Sequence, residues 1–400
     1  MRLDIDGRNC ELESGRSILD AVKKEGLDSI MLSDRPLAAQ IGGEVFNLRF
    51  TPKKDTQIHL LRYGEDMGRR VYERTLQFLF ILAMRKEFPR ARVCVRYSLG
   101  PGLFITVDGM EEPFNEEAAL KVETEMRRLV RLKLPLERRR ISIKEALSFY
   151  EQDGQADKAK LLKWRRFSYF DVYQIDGYMD YFYGEMAPDT SYADVFRVKY
   201  IHDGAVVLLM PRNDAPDVPS DYVDLPKLHA VFHQSDEWGK LMECATVNDL
   251  NTHIQNGTIR ELVRINEALH DRGYADIADK IVQKGAKAVL VAGPSSSGKT
   301  TSAHRISTQL RLQGCHPVML SLDDYYIDRD KIERDENGEI DLENINTLDI
   351  QRFGSDLAAL IRGEKVEVPR FDFTNGKRAP EGRILQLHDD EPVIIEGIHG

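Results

Sequence analysis

The chain has 400 residues and a formal net charge of −10, and 42% of its residues are hydrophobic while 30% are charged. This length predicts roughly two to four domains, and the acidic balance argues against a protein whose main surface binds nucleic acid. The four cysteines form no C-x-x-C pair, which argues against a zinc ribbon or a disulfide framework. With no recognisable targeting segment, and with a longest apolar run (near 78–84) too short to span a bilayer, we expect a cytoplasmic protein without membrane contact.

Residues 1–62 combine short strand patterns with one helix pattern. Ser17 is a suitable N-cap for a helix that stops at Gly26, and Gly42-Gly43 predicts a hairpin. We therefore expect a small β-grasp-like unit with one helix on a mixed sheet. The order SILDAVKKEG, AAQIGGEVFNL and DTQIHLL resembles a TGS domain, the module that opens threonyl-tRNA synthetases. The resemblance implies a ligand- or RNA-binding module, and docking without catalysis is the favoured interpretation.

Residues 63–210 predict an α+β domain. Helix patterns cover 68–86, 114–133, 141–150 and 155–167, and strand patterns cover 91–97, 103–107, 195–200 and 205–210. The segments RTLQFLFILAMRKEFPRARVCVRYSLGPGLFI and YFYGEMAPDT resemble the editing domain of threonyl-tRNA synthetase.

The editing family builds its site from H-x-x-x-H on a helix and C-x-G-x-H on a later stretch, residue types that can meet one metal ion or one substrate. Here the four corresponding positions hold Arg74, Phe78, Phe182 and Met186. The resemblance therefore implies an inactive editing fold without zinc, kept for binding or for positioning another domain.

The stretch 121–145 contains nine Lys or Arg against four Glu. Contact with tRNA or another polyanion is one interpretation of this excess. A solvated helix face is the other, and the acidic balance of the whole chain favours it.

Residues 211–285 predict a linker, RNDAPDVPSDYVDLP, followed by a helical connector. The helix patterns cover 228–232, 241–244, 247–256, 258–271 and 276–284. His229 and His233 lie four residues apart, but the Glu of H-E-x-x-H and a third ligand are missing. Packing or surface histidines are therefore favoured over a zinc site.

Residues 286–400 predict a P-loop domain built on a parallel sheet. GPSSSGKT follows the apolar run AVLVA and precedes a helix pattern over 301–312, which is the required order of strand, glycine-rich loop and helix. The residues expected to hold the phosphates of ATP are Gly293, Pro294, Ser295, Ser296, Ser297, Gly298, Lys299, Thr300 and Thr301. In this pattern Lys299 reaches the β- and γ-phosphates, and the Thr300 hydroxyl ligates Mg²⁺.

Carboxylates follow two further strand patterns of this segment. Asp323 and Asp324 come directly after HPVMLSL, and Glu396 ends PVII. Parallel strands end at the same edge of a sheet, where open α/β sheets bind ligands. A carboxylate there can accept the proton of an attacking hydroxyl or organise Mg²⁺, and Asp323 is the better candidate of its pair.

The motif order GPSSSGKT, SLDDYY, VPRFDF and IIEGIHG resembles the uridine kinase/phosphoribulokinase family over everything from Gly293 onward. The resemblance implies an ATP-dependent kinase in which Asp323 is the catalytic base, Lys299 assists, and Glu396 is the second carboxylate near Mg²⁺. It also implies acceptor contacts at Tyr325, Tyr326, Asp341, Asp349, Phe371 and Asp372. The chain departs from uridine kinases at Phe371, where they have Tyr, and at Gly376, where they have His, so the acceptor stays open.

A TGS module, a synthetase-like domain and a uridine-kinase-like domain occur together in a group of bacterial proteins labelled uridine or nucleoside kinase. Compared with that family the chain lacks the basic lid and later strands, and we expect a truncated form. The first hypothesis is a kinase of a nucleoside or similar small molecule. The alternative is a regulatory NTP- and tRNA-binding protein without turnover. The oligomeric state is not predicted.

Overall fold

The computed structural model describes residues 1–202, 204–332, 334, 340–389 and 391–400. These residues form two compact units, Met1–Thr252 and His253–Gly400. The finer division expected at residues 62, 210 and 285 stays a prediction. No helix in the described ranges has the length and apolar character needed to cross a membrane.

The first unit begins with a five-stranded mixed sheet and one helix. Its elements are β1 (Arg2–Ile5), β2 (Arg8–Glu11), α1 (Ile18–Lys24), β3 (Ala38–Ile41), β4 (Glu44–Phe46) and β5 (Thr56–Leu61). The strand order is β2-β1-β5-β3-β4, with only β1 and β5 parallel. Ser17 and Asp20 form a reciprocal capping box at the start of α1. One helix on a mixed sheet is the arrangement that the sequence patterns predict.

A larger α+β region follows in the same unit. Its elements are α2 (Asp66–Glu87), β6 (Arg92–Leu99), β7 (Gly102–Asp108), α3 (Glu116–Leu132), β8 (Glu137–Ser142), α4 (Ile143–Gln152), α5 (Ala156–Leu162), β9 (Tyr169–Ile175), β10 (Tyr178–Asp180), β11 (Arg197–His202) and β12 (Ala205–Leu209). Two antiparallel sheets result, β11-β12-β7-β6 and β10-β9-β8. Buried side chains of α2 and α3 share one hydrophobic cluster with alternate residues of β7 and β12.

The helices expected at 141–150 and 155–167 are displaced in the structure. Residues 137–142 form β8, which pairs with β9 from Glu137 to Ser142. The helix α4 begins only at Ile143, because the Ser142 hydroxyl caps it by accepting the Glu145 N–H. The second helix ends at Leu162. Strand pairing with a distant partner therefore overrides the local helical periodicity around Ile141.

The expected linker is a hairpin instead. Residues β13 (Pro211–Arg212) and β14 (Ala215–Pro219) pair antiparallel, and Ser220 closes the hairpin by donating from both its N–H and its hydroxyl to the Met210 carbonyl. The connector helices are α6 (Pro226–Leu241), α7 (Val247–Asn256) and α8 (Ile259–Lys284). Thus 228–244 contains one long helix rather than two short ones, and α8 continues through 271–276, where we expected a break.

The second unit is built around a three-stranded parallel sheet. Its elements after α8 are β15 (Ala288–Ala292), α9 (Lys299–Leu312), β16 (Val318–Ser321), α10 (Ile350–Ile361), β17 (Val366–Val368), β18 (Phe371–Asp372), β19 (Lys377–Arg378), β20 (Arg383–Leu385) and β21 (Val393–Gly397). The order is β15-β21-β16, so the last strand of the chain lies in the centre of this sheet. All five residues of β21 are buried.

Two layers cover this sheet. Ile394 of the central strand shares a hydrophobic cluster with Ala278 and Ile281 of α8 and Ile306 of α9. On the opposite face, Ile395 belongs to a cluster that includes buried side chains of β16, β17 and α10. Alternation along β21 thus feeds both clusters, as expected for a parallel strand covered on both sides. The parallel sheet that the sequence predicts for this segment is confirmed.

Candidate active site

The phosphate-binding motif forms the turn between β15 and α9. Gly293 has no room for a side chain, because a Cβ there would lie 2.8 Å from the Ser297 hydroxyl oxygen. Ser296 and Gly298 both have left-handed backbone, with φ of 60° and 86°. Left-handed residues within a tight loop turn successive N–H groups toward one concavity, and the start of α9 adds its own N–H groups. The loop therefore fits the phosphates of a nucleotide.

Lys299 and Thr300 occupy the first turn of α9. The ammonium of Lys299 donates to the Pro294 carbonyl at 2.8 Å, which holds the side chain over the same loop. The Thr300 hydroxyl donates to the Glu396 carboxylate at 3.2 Å. Thr301 follows one residue later in the helix and is exposed.

The carboxylate of Glu396 lies at the edge where the parallel strands end. In the sheet register Glu396 is opposite Val291 of β15 and Ser321 of β16. Its second oxygen accepts the Ser321 hydroxyl at 2.7 Å, and the residue is only 7% exposed. Carboxylate and hydroxyl oxygens are the ligands that Mg²⁺ prefers, so this donor set fits a magnesium ion bound with nucleotide phosphates.

Asp323 lies in a 3₁₀ turn, Leu322–Tyr325, directly after β16. Its N–H donates to the Ser321 hydroxyl at 3.3 Å, which fixes the turn at the strand end. Burial raises the pKa of Asp323 above its ordinary value of 3.8; the nearby Glu396 carboxylate adds to this rise, and Lys299 opposes it. The neighbouring Asp324 instead accepts the Phe371 N–H at 3.3 Å and thereby ties the turn to β18. The two adjacent carboxylates thus have different surroundings.

A cavity of about 230 Å³ lies next to the loop and is lined by Ser295, Lys299 and Asp323. Aromatic rings form another part of its lining: the ring centroids of Tyr326 and Phe371 are 5.7 Å apart, and those of Phe371 and Phe373 are 5.0 Å apart. The cavity therefore joins the phosphate loop and a half-buried carboxylate to a set of aromatic faces.

The other expected acceptor residues lie outside this lining. Tyr325 is fully buried, and its hydroxyl donates to Asp356 at 3.1 Å. Asp341 accepts the Glu343 N–H, and Asp372 accepts the N–H groups of its own turn. Asp349 caps α10 and pairs with Arg378 at 2.9 Å. Burial acts to raise the pKa of Asp349, but the hydrogen bonds from Arg352 and Arg378 outweigh it and the pKa is lowered.

Several lining residues were not expected from the sequence. Phe373 adjoins the VPRFDF motif, so motif position could have indicated it. Glu343 and Arg329 also line the cavity. They carry no local signal, because each reaches the cavity only through the tertiary fold.

The positions that correspond to the editing family are filled by packing. Phe78 and Met186 are fully buried, and the rings of Phe78 and Phe182 lie 5.4 Å apart. Arg74 donates to the Glu185 carbonyl at 3.0 Å. No side chain at these positions can ligate zinc, and the expectation of a metal-free, inactive editing fold stays a prediction.

The structure adds a third histidine to the pair on α6. The His202 ring of β11 lies 5.3 Å from that of His229, which lies 6.3 Å from that of His233. The His229 Nδ1 and the Tyr97 hydroxyl are hydrogen-bonded at 2.9 Å. Among the residues that the structure describes, no group of three or more His, Cys, Asp or Glu has a geometry that could hold a metal ion.

Most of the cations in 121–145 have carboxylate partners within the unit. Five of the nine form ion pairs: Lys121, Arg127, Arg128, Arg138 and Arg140. The three consecutive arginines 138–140 lie on strand β8, not on the helix face that we expected. The local positive excess available to a polyanion is correspondingly smaller than the sequence count.

Residues 288–400 match the model of the Phosphoribulokinase / Uridine kinase family. The N-terminal part is similar to threonine–tRNA ligases: 25% identity over 194 residues to that of Clostridium kluyveri, covering 48% of this chain and 30% of the relative. The Acetivibrio thermocellus ligase is 28% identical over 160 residues, covering 40% and 24% respectively. The chain thus spans between about a quarter and a third of the length of these curated relatives.

Among solved structures, the chain is similar to "a possible uridine kinase" from Bacillus stearothermophilus, with 24% identity, a TM-score of 0.26, and coverage of 32% of this chain and 70% of that chain. It is also similar to a putative fructose transport system kinase from Silicibacter sp., with 23% identity, a TM-score of 0.27, and coverage of 31% and 62%. The chain therefore joins a segment similar to threonine–tRNA ligases to a C-terminal segment that matches the Phosphoribulokinase / Uridine kinase family.

Proposed function

We propose that the protein is an ATP-dependent kinase that transfers the γ-phosphoryl group to a hydroxyl of a small molecule, with a nucleoside as the first candidate acceptor. The observation that carries the proposal is the meeting of Lys299, Thr300, Asp323 and Glu396 at one edge of the parallel sheet. Their motifs lie between 26 and 74 residues apart in order along the chain, within the family-matched segment. Such a constellation supports phosphoryl transfer, which depends mainly on positioning and on charge neutralisation.

Each residue has a separate task in this proposal. The loop N–H groups and Lys299 hold the phosphates, while Thr300 and Glu396 hold the metal ion. Bound Mg²⁺ supplies neutralisation of the phosphate charge. Asp323 takes the proton of the acceptor hydroxyl as that oxygen bonds to the γ-phosphorus and the bond to the bridging β-phosphate oxygen breaks, which leaves ADP and the phosphorylated acceptor.

Aromatic lining supports a flat acceptor group. The Tyr326, Phe371 and Phe373 rings offer apolar faces to a nucleobase or a similarly planar group. Burial, with the charge of Asp323 second, raises the pKa of Tyr326 and keeps its hydroxyl protonated; that hydroxyl donates to the Leu342 carbonyl at 3.2 Å. The regulatory alternative without turnover is less well supported, because five cations of the basic stretch are already paired.

The test is product formation from a panel of nucleosides and small polyols with ATP and Mg²⁺, followed by mass spectrometry. We expect an acceptor-dependent gain of one phosphoryl group and stoichiometric ADP. Tight binding of tRNA at moderate salt, together with no phosphorylated product from any acceptor, would instead support the regulatory alternative.

Glu396→Gln is expected to raise the Mg²⁺ concentration for half-maximal activity by about 10- to 100-fold, because it removes a charged oxygen ligand or a partner of one. The Mg²⁺ titration is measured at saturating ATP and acceptor. The exposed Glu364, which pairs with Arg362 at 2.6 Å, provides the matched control. Glu364→Gln should leave the titration unchanged. An unaltered Mg²⁺ dependence in Glu396→Gln would remove Glu396 from the metal site.

Activity is expected to fall on the acid side with a midpoint above pH 3.8. Burial and the Glu396 charge raise the pKa of Asp323 above 3.8, and a general base works only when it is ionised. As pH falls through this raised pKa, the base is protonated and kcat/KM declines with unit slope. The pH profile of kcat/KM for the acceptor measures this. An acid limb centred at or below 3.8 would contradict the assignment.

A further inference from the structure

Arg329 brings an unexpected positive charge to the acceptor cavity. It begins a 3₁₀ turn, Arg329–Lys331, and its N–H donates to the Gly376 carbonyl at 2.9 Å. The residue lines the same cavity as Asp323 and Lys299. Arg329 therefore stands at the acceptor side of the site, on a segment separate from the phosphate loop.

The guanidinium of Arg329 has no ion-pair or hydrogen-bond partner within the described ranges. Neighbouring cations differ in this respect: Lys331 pairs with Asp328 at 2.8 Å, Lys377 with Asp330 at 3.2 Å, and Arg378 with Asp349 at 2.9 Å. Surface cations around the cavity are thus neutralised by nearby carboxylates, whereas the one that lines the cavity is left available.

Gly376 provides the space that this side chain occupies. Its φ of 65° is left-handed, and a Cβ added there would lie 2.6 Å from the Arg329 Cδ. Any side chain at position 376 would therefore push the arginine away from its present position. The glycine in the turn between β18 and β19 and the arginine in the cavity are sterically linked.

The remaining charge of the lining is Glu343, which reaches the cavity from a different segment. Glu343 adjoins Leu342, whose carbonyl accepts the Tyr326 hydroxyl at 3.2 Å, whereas Arg329 is held against the turn at Gly376. A carboxylate suits acceptor hydroxyl groups. A guanidinium suits a carboxylate or phosphate, which it can bind through two parallel hydrogen bonds.

We propose that Arg329 binds an anionic group of the acceptor, a carboxylate or a phosphate, so that the preferred substrate is an anionic hydroxyl compound rather than a neutral nucleoside. This inference rests on the proposed kinase function. Arg329 is a specificity-determining residue that contacts the part of the acceptor remote from the reacting hydroxyl, and the phosphoryl-transfer chemistry itself is unchanged.

The experiment compares acceptors that differ in one anionic group. Uridine and orotidine differ by a carboxylate, and ribose and ribose 5-phosphate differ by a phosphate, so the two pairs distinguish the two anions. In the wild-type protein we expect kcat/KM for at least one anionic member to exceed that of its neutral partner by about tenfold or more.

Arg329→Gln should remove this preference, lowering kcat/KM for the anionic acceptor by about 10- to 100-fold. The neutral acceptor and the KM for ATP should stay within about threefold. Arg329→Lys keeps the charge and should retain part of the preference. Lys331→Gln removes a charge from the same turn, but one that is paired with Asp328, and should retain all of it.

The outcomes separate the two claims. Phosphorylation of neutral acceptors with equal or greater efficiency would overturn the role of Arg329 and leave the proposed kinase function standing. An equal loss for both members of a pair in Arg329→Gln would have the same consequence. No product from any acceptor would overturn the proposed function, and this inference with it.

Discussion

Asp323→Asn is expected to lower kcat by about 10²- to 10⁴-fold while the affinity for ATP stays within about twofold. The substitution keeps the size and a hydrogen-bonding oxygen but removes the group that accepts the proton of the acceptor hydroxyl. The Asp323 side chain lines the acceptor cavity, and the sequence places it 24 residues after Lys299, outside the phosphate loop. Steady-state kinetics give kcat, and fluorescent nucleotide titration gives ATP affinity.

Stability serves as the control for this variant. Because the fold raises the pKa of Asp323, folding disfavours its ionised form. The contribution of this group to stability is therefore greatest below its unfolded pKa and is lost as pH rises through the folded pKa. At neutral pH, Asp323→Asn should leave the melting temperature unchanged or raise it.

Asp324→Asn offers a second comparison, since the amide oxygen can still accept the Phe371 N–H. It should keep most of the activity. If Asp323→Asn retained wild-type kcat, or if Asp324→Asn were the variant that lost it, the assignment of the base would be wrong.

Phe78→Ala is expected to lower the free energy of unfolding of the first unit by about 3–5 kcal/mol. Phe78 is fully buried on α2, and its ring lies 5.4 Å from that of Phe182 and 5.9 Å from that of Tyr178. Truncation removes most of this apolar burial and leaves a cavity that the surrounding aromatic rings fill only in part. Urea denaturation followed by tryptophan fluorescence measures the change. Both tryptophans of the chain, Trp164 and Trp238, belong to the first unit, so the signal reports on that unit.

The matched control is Phe167→Ala, because Phe167 is 60% exposed and should change the free energy of unfolding by about 0.5 kcal/mol or less. Phe78→His tests the resemblance to the editing family as well. It should destabilise the unit without creating a zinc site, since Phe182 and Met186 still offer no metal ligand. A loss below about 1 kcal/mol for Phe78→Ala would show that this position is not a core contact.

Local patterns were sufficient for the elements that contain their own boundary signals. The helix α10 runs over Ile350–Ile361 as the sequence predicts, because Asp349 caps its start and Gly363 follows its end. The same holds for α1, with its capping box at Ser17. They failed where pairing with a distant segment decided the outcome, as in β8, whose partner β9 begins 27 residues after the last residue of β8.

The acceptor side of the site shows the same division. Phe371 was expected there on the strength of its motif, and it does line the cavity. Asp341, Asp349 and Asp372 were equally reasonable choices by position, yet their oxygens accept hydrogen bonds from nearby N–H groups. A short carboxylate beside a turn can either cap that turn or face a ligand, and the sequence alone does not distinguish the two.

The sequence by itself determined that a phosphate loop follows a buried strand and that carboxylates end the neighbouring strands. Glycine positions, apolar runs and strand-end carboxylates are local features, and a parallel sheet brings their ends to one edge without further information. Only the tertiary structure decided which side chains share the cavity. Thr300 meets Glu396 across 96 positions of sequence, and Arg329 occupies the space left by Gly376. Such contacts depend on how separate segments pack, because a side chain's neighbours across the fold leave no periodic trace in its own segment.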